Sequence, residues 1–64
     1  MGVVEQVNAI RISQRISLRQ IASETGYSPS VIALFLNYRW PGDNARVAAD
    51  LQEWVAKAKQ KEEG

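Results

Sequence analysis

The sequence predicts an all-α fold built from four helices and tight turns. Apolar residues recur at intervals of three and four in several segments, as they do on the buried face of a helix. Serine, proline and glycine fall where those segments begin and end, and no alternating apolar and polar run indicates a strand. The chain has 64 residues, which is enough for one domain with a small core.

The first two helices are predicted over residues 3–14 and 18–25. Before the second helix, Ser17 and Gln20 match a capping box, in which the hydroxyl accepts a backbone N–H bond and the amide reaches back to the cap. The apolar face of the first helix is predicted to comprise Val3, Val7 and Ile10. The inward stripe of the second is predicted to comprise Leu18, Ile21, Ala22 and Thr25.

The third and fourth helices are predicted over residues 29–37 and 44–60. Ser28 is placed to cap the third helix, and a proline in its first turn fits because no N–H is needed there. Either Asp43 or Asn44 is expected to cap the fourth helix. The buried faces are predicted to comprise Ile32, Phe35 and Leu36 in the third helix and Val47, Leu51, Trp54, Val55 and Ala58 in the fourth.

The segment between the second and third helices has the spacing of a helix-turn-helix motif. Ala22 is small enough for two helices to approach closely, and Gly26, four residues later, permits a left-handed turn. Ile32, six residues after the glycine, and Phe35 are placed to pack back on the second helix. This spacing favours a DNA-binding motif, and a purely structural helical corner is the alternative because it meets similar demands.

The net charge of +1 is unevenly distributed along the chain. Residues 11–39 carry four arginines against one glutamate, whereas residues 1–10 and 40–64 each have a net charge of −1. Positive charge is therefore concentrated around the predicted corner, as expected for a surface that neutralises phosphates. A solvated arginine face that binds nothing is the alternative interpretation.

The third helix lacks the side chains that usually read bases. Residues 28–37 contain no Arg, Lys, Gln, Asp or Glu. With Ile32 at the centre of the buried face, helical geometry directs outward the side chains of Ser30, Ala33, Leu34 and Asn37, with Val31 at the flank. These groups suit thymine methyls and single hydrogen bonds, and Asn37 suits an adenine at the helix end. The sequence therefore predicts a surface that holds DNA through phosphates and discriminates weakly between sequences.

Two segments resemble known DNA-binding proteins. The first, QIASETGYSPSVIALFLN, resembles the helix-turn-helix of lambda-repressor-like domains. The second, GDNARVAADLQEWVAKA, extends the resemblance to residues 16–60. Over this range the chain resembles the N-terminal domain of the phage Mu B transposition protein family more closely than it resembles a repressor. Residues 42–54 are the most specific part of this resemblance. The resemblance implies that residues 1–64 form a compact four-helix lambda-repressor-like domain ahead of an AAA+ ATPase. It also implies a parent protein that coats target DNA in an ATP-dependent filament with weak sequence preference and activates a transposase.

The residues expected to contact double-stranded DNA lie around the corner and near the ends of neighbouring helices. They are Arg15, Arg19, Gln20, Tyr27, Ser28, Ser30, Val31, Leu34, Asn37, Arg39 and Arg46. The arginines, the serines and the N-terminus of the third helix suit phosphate oxygens. Two alternatives stay open. One is a stand-alone lambda-type repressor, and the other is a protein-interaction domain in which Val31 and Leu34 meet a protein such as the transposase or the ATPase domain.

Catalysis and cofactor or metal binding are not expected of this chain. Because it has no histidine and no cysteine, it lacks the commonest general base, the commonest metal ligand and any thiolate. GDNAR is not a glycine-rich phosphate-binding loop, and no such loop occurs elsewhere. We also expect no small-molecule substrate. No membrane span is expected, because the apolar runs are too short to cross a bilayer. The resemblance implies a cytoplasmic location in a bacterial host that carries the phage or prophage.

Overall fold

A computed structural model of the chain describes residues 2–63, with side chains described for residues 2–60. It contains α1 (Val3–Gln14), α2 (Leu18–Thr25), α3 (Pro29–Leu36) and α4 (Asn44–Glu63). No strand occurs within these residues, so the all-helical prediction is confirmed. α3 ends one residue earlier than predicted because Asn37 is its C-terminal cap. α4 extends three residues further than predicted, since lysine and glutamate are good helix formers.

The helices begin at the capping residues that the sequence supplies. Ser17 and Ser28 each accept a backbone N–H bond from the residue three positions later, at 3.1 and 3.2 Å. Asp43 caps α4 in the same way at 3.1 Å. The second half of the predicted capping box is wrong: the Gln20 amide donates to Glu24 at 3.2 Å instead of reaching back to the cap. The exposed carboxylate one turn later is a charged acceptor, which makes the stronger bond.

The core is formed by one buried face of each helix. Its buried side chains are Val4, Val7, Ile10, Ile21, Ala22, Ile32, Phe35, Leu36, Val47, Leu51, Trp54, Val55 and Ala58. Every core position predicted for α3 and α4 belongs to this set. In α1, Val4 is buried instead of Val3, which lies in the first turn and packs on the core from its edge. Leu18 and Thr25 are half-buried at the two ends of α2.

The corner between α2 and α3 is tight. Gly26 has a φ of 83°, and its N–H bonds to the Ala22 carbonyl at 2.9 Å, which closes α2 as predicted. α2 and α3 then pack against each other, and Ala22, which is 2% exposed, lies in the core with the fully buried Ile21 and Ile32. α1 packs mainly against α4, which completes the core. Among the described residues, no helix combines the length and hydrophobicity that a membrane span requires.

Candidate nucleic-acid interface

The solvent-facing side of α3 is a stripe without charge. Ser30, Leu34 and Asn37 are exposed, and Val31 and Ala33 flank them half-buried. Ser30, Leu34 and Asn37 thus face solvent as helical geometry predicted, whereas Ala33, which was also predicted to point outward, is half-buried. The Asn37 amide donates to the Ala33 carbonyl at 2.8 Å, so part of its hydrogen-bonding capacity is used within α3. Any adenine contact by Asn37 has to share or replace that bond.

The N-terminus of α3 presents polar groups to solvent. Ser28 and Ser30 are both exposed. The Ser28 hydroxyl oxygen accepts the N–H of Val31, which leaves the hydroxyl proton for an acceptor outside the protein. The N–H groups of the first turn form the positive end of the helix dipole. This end of α3 therefore suits an anionic oxygen such as that of a phosphate.

Four exposed arginines lie at helix ends. They are Arg15 after α1, Arg19 in the first turn of α2, Arg39 after α3 and Arg46 in the first turn of α4. Within the part of the chain that the structure describes, none of them forms an ion pair. The ion pair that does occur there joins Lys57 and Glu53 at 3.7 Å, on an exposed surface of α4. Exposed guanidinium groups without a carboxylate partner suit phosphate oxygens.

Two further predicted contact residues are engaged within the protein, both with carboxylates. The Tyr27 hydroxyl donates a hydrogen bond to the carboxylate of Asp50 on α4. This bond, followed by burial and by the negative charge of Asp50, raises the pKa of Tyr27 above its ordinary value of 10.0. The Gln20 amide is bonded to Glu24. Both side chains lie beside carboxylates, which repel phosphates.

The side of the domain formed by α2 and α4 is acidic. A groove of about 720 Å³ lies between the two helices, and its charged lining residues are Glu24, Asp50, Glu53 and Lys57. Arg46 lies on a neighbouring groove together with Tyr27 and Asp50, so this arginine is close to negative charge. The structure therefore separates an acidic groove from the uncharged outer side of α3.

Tyr38 was not among the residues predicted to contact a ligand. It is 73% exposed, follows the C-terminal cap of α3 and has a left-handed φ of 60°. Its hydroxyl donates to Glu5 Oε1 at 3.2 Å. The residue type alone carries no signal of this conformation, since tyrosine is uncommon at left-handed positions.

The fold and the surface together define a small all-helical domain whose exposed polar and cationic groups are compatible with phosphate. Over 45 residues the chain is 40% identical to the ATP-dependent target DNA activator B of Escherichia phage Mu, and equally to the protein of the same name from Escherichia phage D108. The matched stretch covers 70% of this chain and 14% of each relative. No family model and no solved structure matches the chain. Most of this chain is therefore similar to a short region of target DNA activator B.

Proposed function

We propose that the chain is a DNA-binding module with weak sequence preference, in which α2 and α3 form a lambda-repressor-like helix-turn-helix. The outer side of α3 carries this proposal, because it is exposed and lacks base-reading charged side chains. Exposed arginines that form no ion pair among the described residues lie at the helix ends. The similarity to target DNA activator B supports a role in transposition.

In this proposal the arginines hold DNA and α3 makes weak contacts in a groove. Arg15, Arg19 and Arg39 bind phosphates, together with the N-terminus of α3. Ser30 and Leu34 contact base edges without distinguishing strongly between them. Three other predicted contact residues contribute less to DNA binding, because carboxylates lie beside them. They are Gln20, Tyr27 and Arg46.

The proposal also gives the chain a place in a larger protein. The two relatives are named as ATP-dependent, and the matched stretch covers 14% of their length. ATP dependence is therefore proposed for a neighbouring domain, and we assign no catalytic role to this chain. Its proposed partners are double-stranded DNA, a transposase and the ATPase domain of the same protein.

A salt titration with two unrelated DNA duplexes tests the proposal. For binding by charge, log K falls linearly with log salt, with a slope of about −0.9 for each phosphate neutralised on B-DNA. With two to four arginines engaged, we expect a slope of roughly −2 to −4 and a Kd near 10⁻⁴–10⁻⁶ M. Arg39→Ala should reduce the slope by about one and weaken both duplexes alike. Lys57→Ala removes the same charge beside the acidic groove and should leave the slope unchanged.

Two other outcomes would point to different functions. A preference of about 10³-fold or more for one duplex would favour a lambda-type repressor, because that class reads bases directly. An absence of binding at low salt would favour a protein-interaction domain, in which the exposed Leu34 meets a protein surface. Leu34→Ala would then weaken binding to the transposase or the ATPase domain.

A further inference from the structure

Tyr38 occupies a backbone position that favours glycine. Its N–H bonds to the Phe35 carbonyl at 3.1 Å, and the N–H of Arg39 bonds to the Leu34 carbonyl at 2.8 Å. These two bonds form a Schellman motif, whose left-handed position is usually a glycine. Tyr38 takes that position with a φ of 60°. A side chain kept at a strained position points to a role for that side chain.

Core packing does not account for the Tyr38 side chain. The residue is 73% exposed, so most of its surface faces solvent. Its hydroxyl donates to Glu5 Oε1 at 3.2 Å, an exposed bond from the end of α3 to α1. A single exposed hydrogen bond contributes little to stability because water replaces it in the unfolded chain. The bond instead holds the ring in one orientation at the surface.

We propose that the ring of Tyr38 packs against the sugar–phosphate backbone of DNA beside the outer side of α3, an inference that rests on the proposed function. Tyr38 follows Asn37, the last exposed residue of the uncharged stripe. It directly precedes Arg39, which is exposed and without an ion pair in the described part of the chain. The arginine holds a phosphate and the ring covers the adjoining sugar, which together fix the position of the duplex without reading its sequence.

The surroundings of the ring favour DNA over a protein partner. The residue after it, Arg39, is cationic and exposed, and the residue before it, Asn37, is polar and exposed, as in an interface that binds phosphate and sugar. Glu5 is the acidic group at the site, and the Tyr38 hydroxyl already occupies one of its oxygens. Glu5 thus orients the ring, and the face of the ring makes the contact.

Three variants test the inference: Tyr38→Gly, Tyr38→Phe and Arg39→Ala. Tyr38→Gly should keep or raise the melting temperature, because glycine adopts the left-handed conformation freely. It should weaken both duplexes by about threefold to tenfold, the effect of losing one contact of ordinary strength. The salt slope should not change, because no charge is removed, whereas Arg39→Ala should reduce the slope by about one. Tyr38→Phe keeps the ring but loses the bond to Glu5 that orients it, so its affinity should lie between those of the wild type and Tyr38→Gly.

The outcomes separate this inference from the proposed function. If the wild type shows the expected salt slope and Tyr38→Gly binds both duplexes equally well, the inference is overturned and the proposed function stands. A lower melting temperature of Tyr38→Gly with unchanged affinity makes Tyr38 a purely structural residue and also overturns it. If the wild type does not bind DNA at low salt, both the inference about Tyr38 and the proposed function are overturned. The exposed ring would then be a candidate contact for a protein partner. Affinities are compared at a temperature at which every variant is folded.

Discussion

Trp54 on α4 donates a hydrogen bond from its indole Nε1 to Glu24 Oε1 on α2, at 2.7 Å. The indole belongs to the core, with 6% of its surface exposed, whereas Glu24 lies on the outer side of α2. A carboxylate acceptor makes such a bond shorter and stronger than a neutral acceptor does. The bond therefore satisfies a mostly buried donor and ties the second helix to the fourth.

Glu24→Ala should lower the free energy of unfolding by about 1–3 kcal/mol, because it leaves the Trp54 N–H without its acceptor. Glu24→Gln keeps a carbonyl oxygen at the same place and should cost less. The matched control is Glu53→Ala, which removes an exposed carboxylate whose ion pair with Lys57 is worth about 0–1 kcal/mol. Urea unfolding followed by tryptophan fluorescence measures all three. Equal losses for Glu24→Ala and Glu53→Ala would show that the indole bond contributes nothing.

Ala22→Leu should destabilise the domain by about 1–3 kcal/mol, because the larger side chain overfills the contact between α2 and α3. Ala22 is 2% exposed, so the added atoms have no path to solvent. Ala56→Leu is the control, since Ala56 is exposed on α4 and leucine is also a good helix former. Thermal unfolding of the two variants gives the comparison. An unchanged melting temperature for Ala22→Leu would mean that the corner has room to spare.

Ser28→Ala should cost about 1 kcal/mol of stability, because it removes the acceptor of the Val31 N–H at the start of α3. Ser30→Ala changes an exposed serine in the same turn that does not cap the helix, and it should have a smaller effect. If Ser28 also contacts a phosphate, Ser28→Ala binds DNA more weakly at a temperature at which both proteins are folded. Equal stability of the two variants would show that the Ser28 hydroxyl does not stabilise α3 as its N-terminal cap.

Tyr27 should make the stability of the domain fall at alkaline pH. Its pKa is raised by the hydrogen bond to Asp50, then by burial and by the charge of Asp50, so folding favours the protonated phenol. The contribution is fully present below the unfolded-state pKa of about 10 and is lost as the pH rises through the raised pKa. Urea unfolding between about pH 8 and about pH 11 should show a steeper decline for the wild type than for Tyr27→Phe.

The control for the pH experiment is Tyr38→Phe, because the pKa of Tyr38 is raised as well, by partial desolvation of its hydroxyl and by its bond to Glu5. The double variant should show the weakest alkaline decline. Lysine deprotonation contributes equally to all four proteins and cancels in the comparison. If Tyr27→Phe and the wild type decline in parallel, the bond to Asp50 is not formed in solution.

Most of the helical framework follows from short-range features of the sequence. A cap acts on an N–H three residues away, so Ser17, Ser28 and Asp43 determine where helices begin almost independently of the rest of the chain. Gly26 ends α2 for an equally local reason. The spacing of apolar residues predicted the buried faces of α3 and α4, because the helical repeat determines which face of a helix each position occupies. The outward stripe of α3 was predictable by the same argument.

The pairing of polar side chains depends on how the helices pack. The bonds of Tyr27 to Asp50, Trp54 to Glu24 and Tyr38 to Glu5 span 23, 30 and 33 residues. Such pairs depend on the register and crossing of two helices, which periodicity within one helix does not encode. The sequence therefore predicted a DNA contact for Tyr27 and gave no indication of its bond to Asp50.

The sequence by itself determined an all-helical chain, its helix starts, most of its core and the concentration of arginines around one corner, because caps, spacing and charge are local properties. Only the tertiary structure decided which polar groups stay available to a ligand. It joined Tyr27 to a carboxylate and collected acidic side chains along the α2–α4 groove. It also joined the Tyr38 hydroxyl to Glu5 on α1. These outcomes depend on contacts between segments far apart in the chain, whose geometry arises when the helices pack.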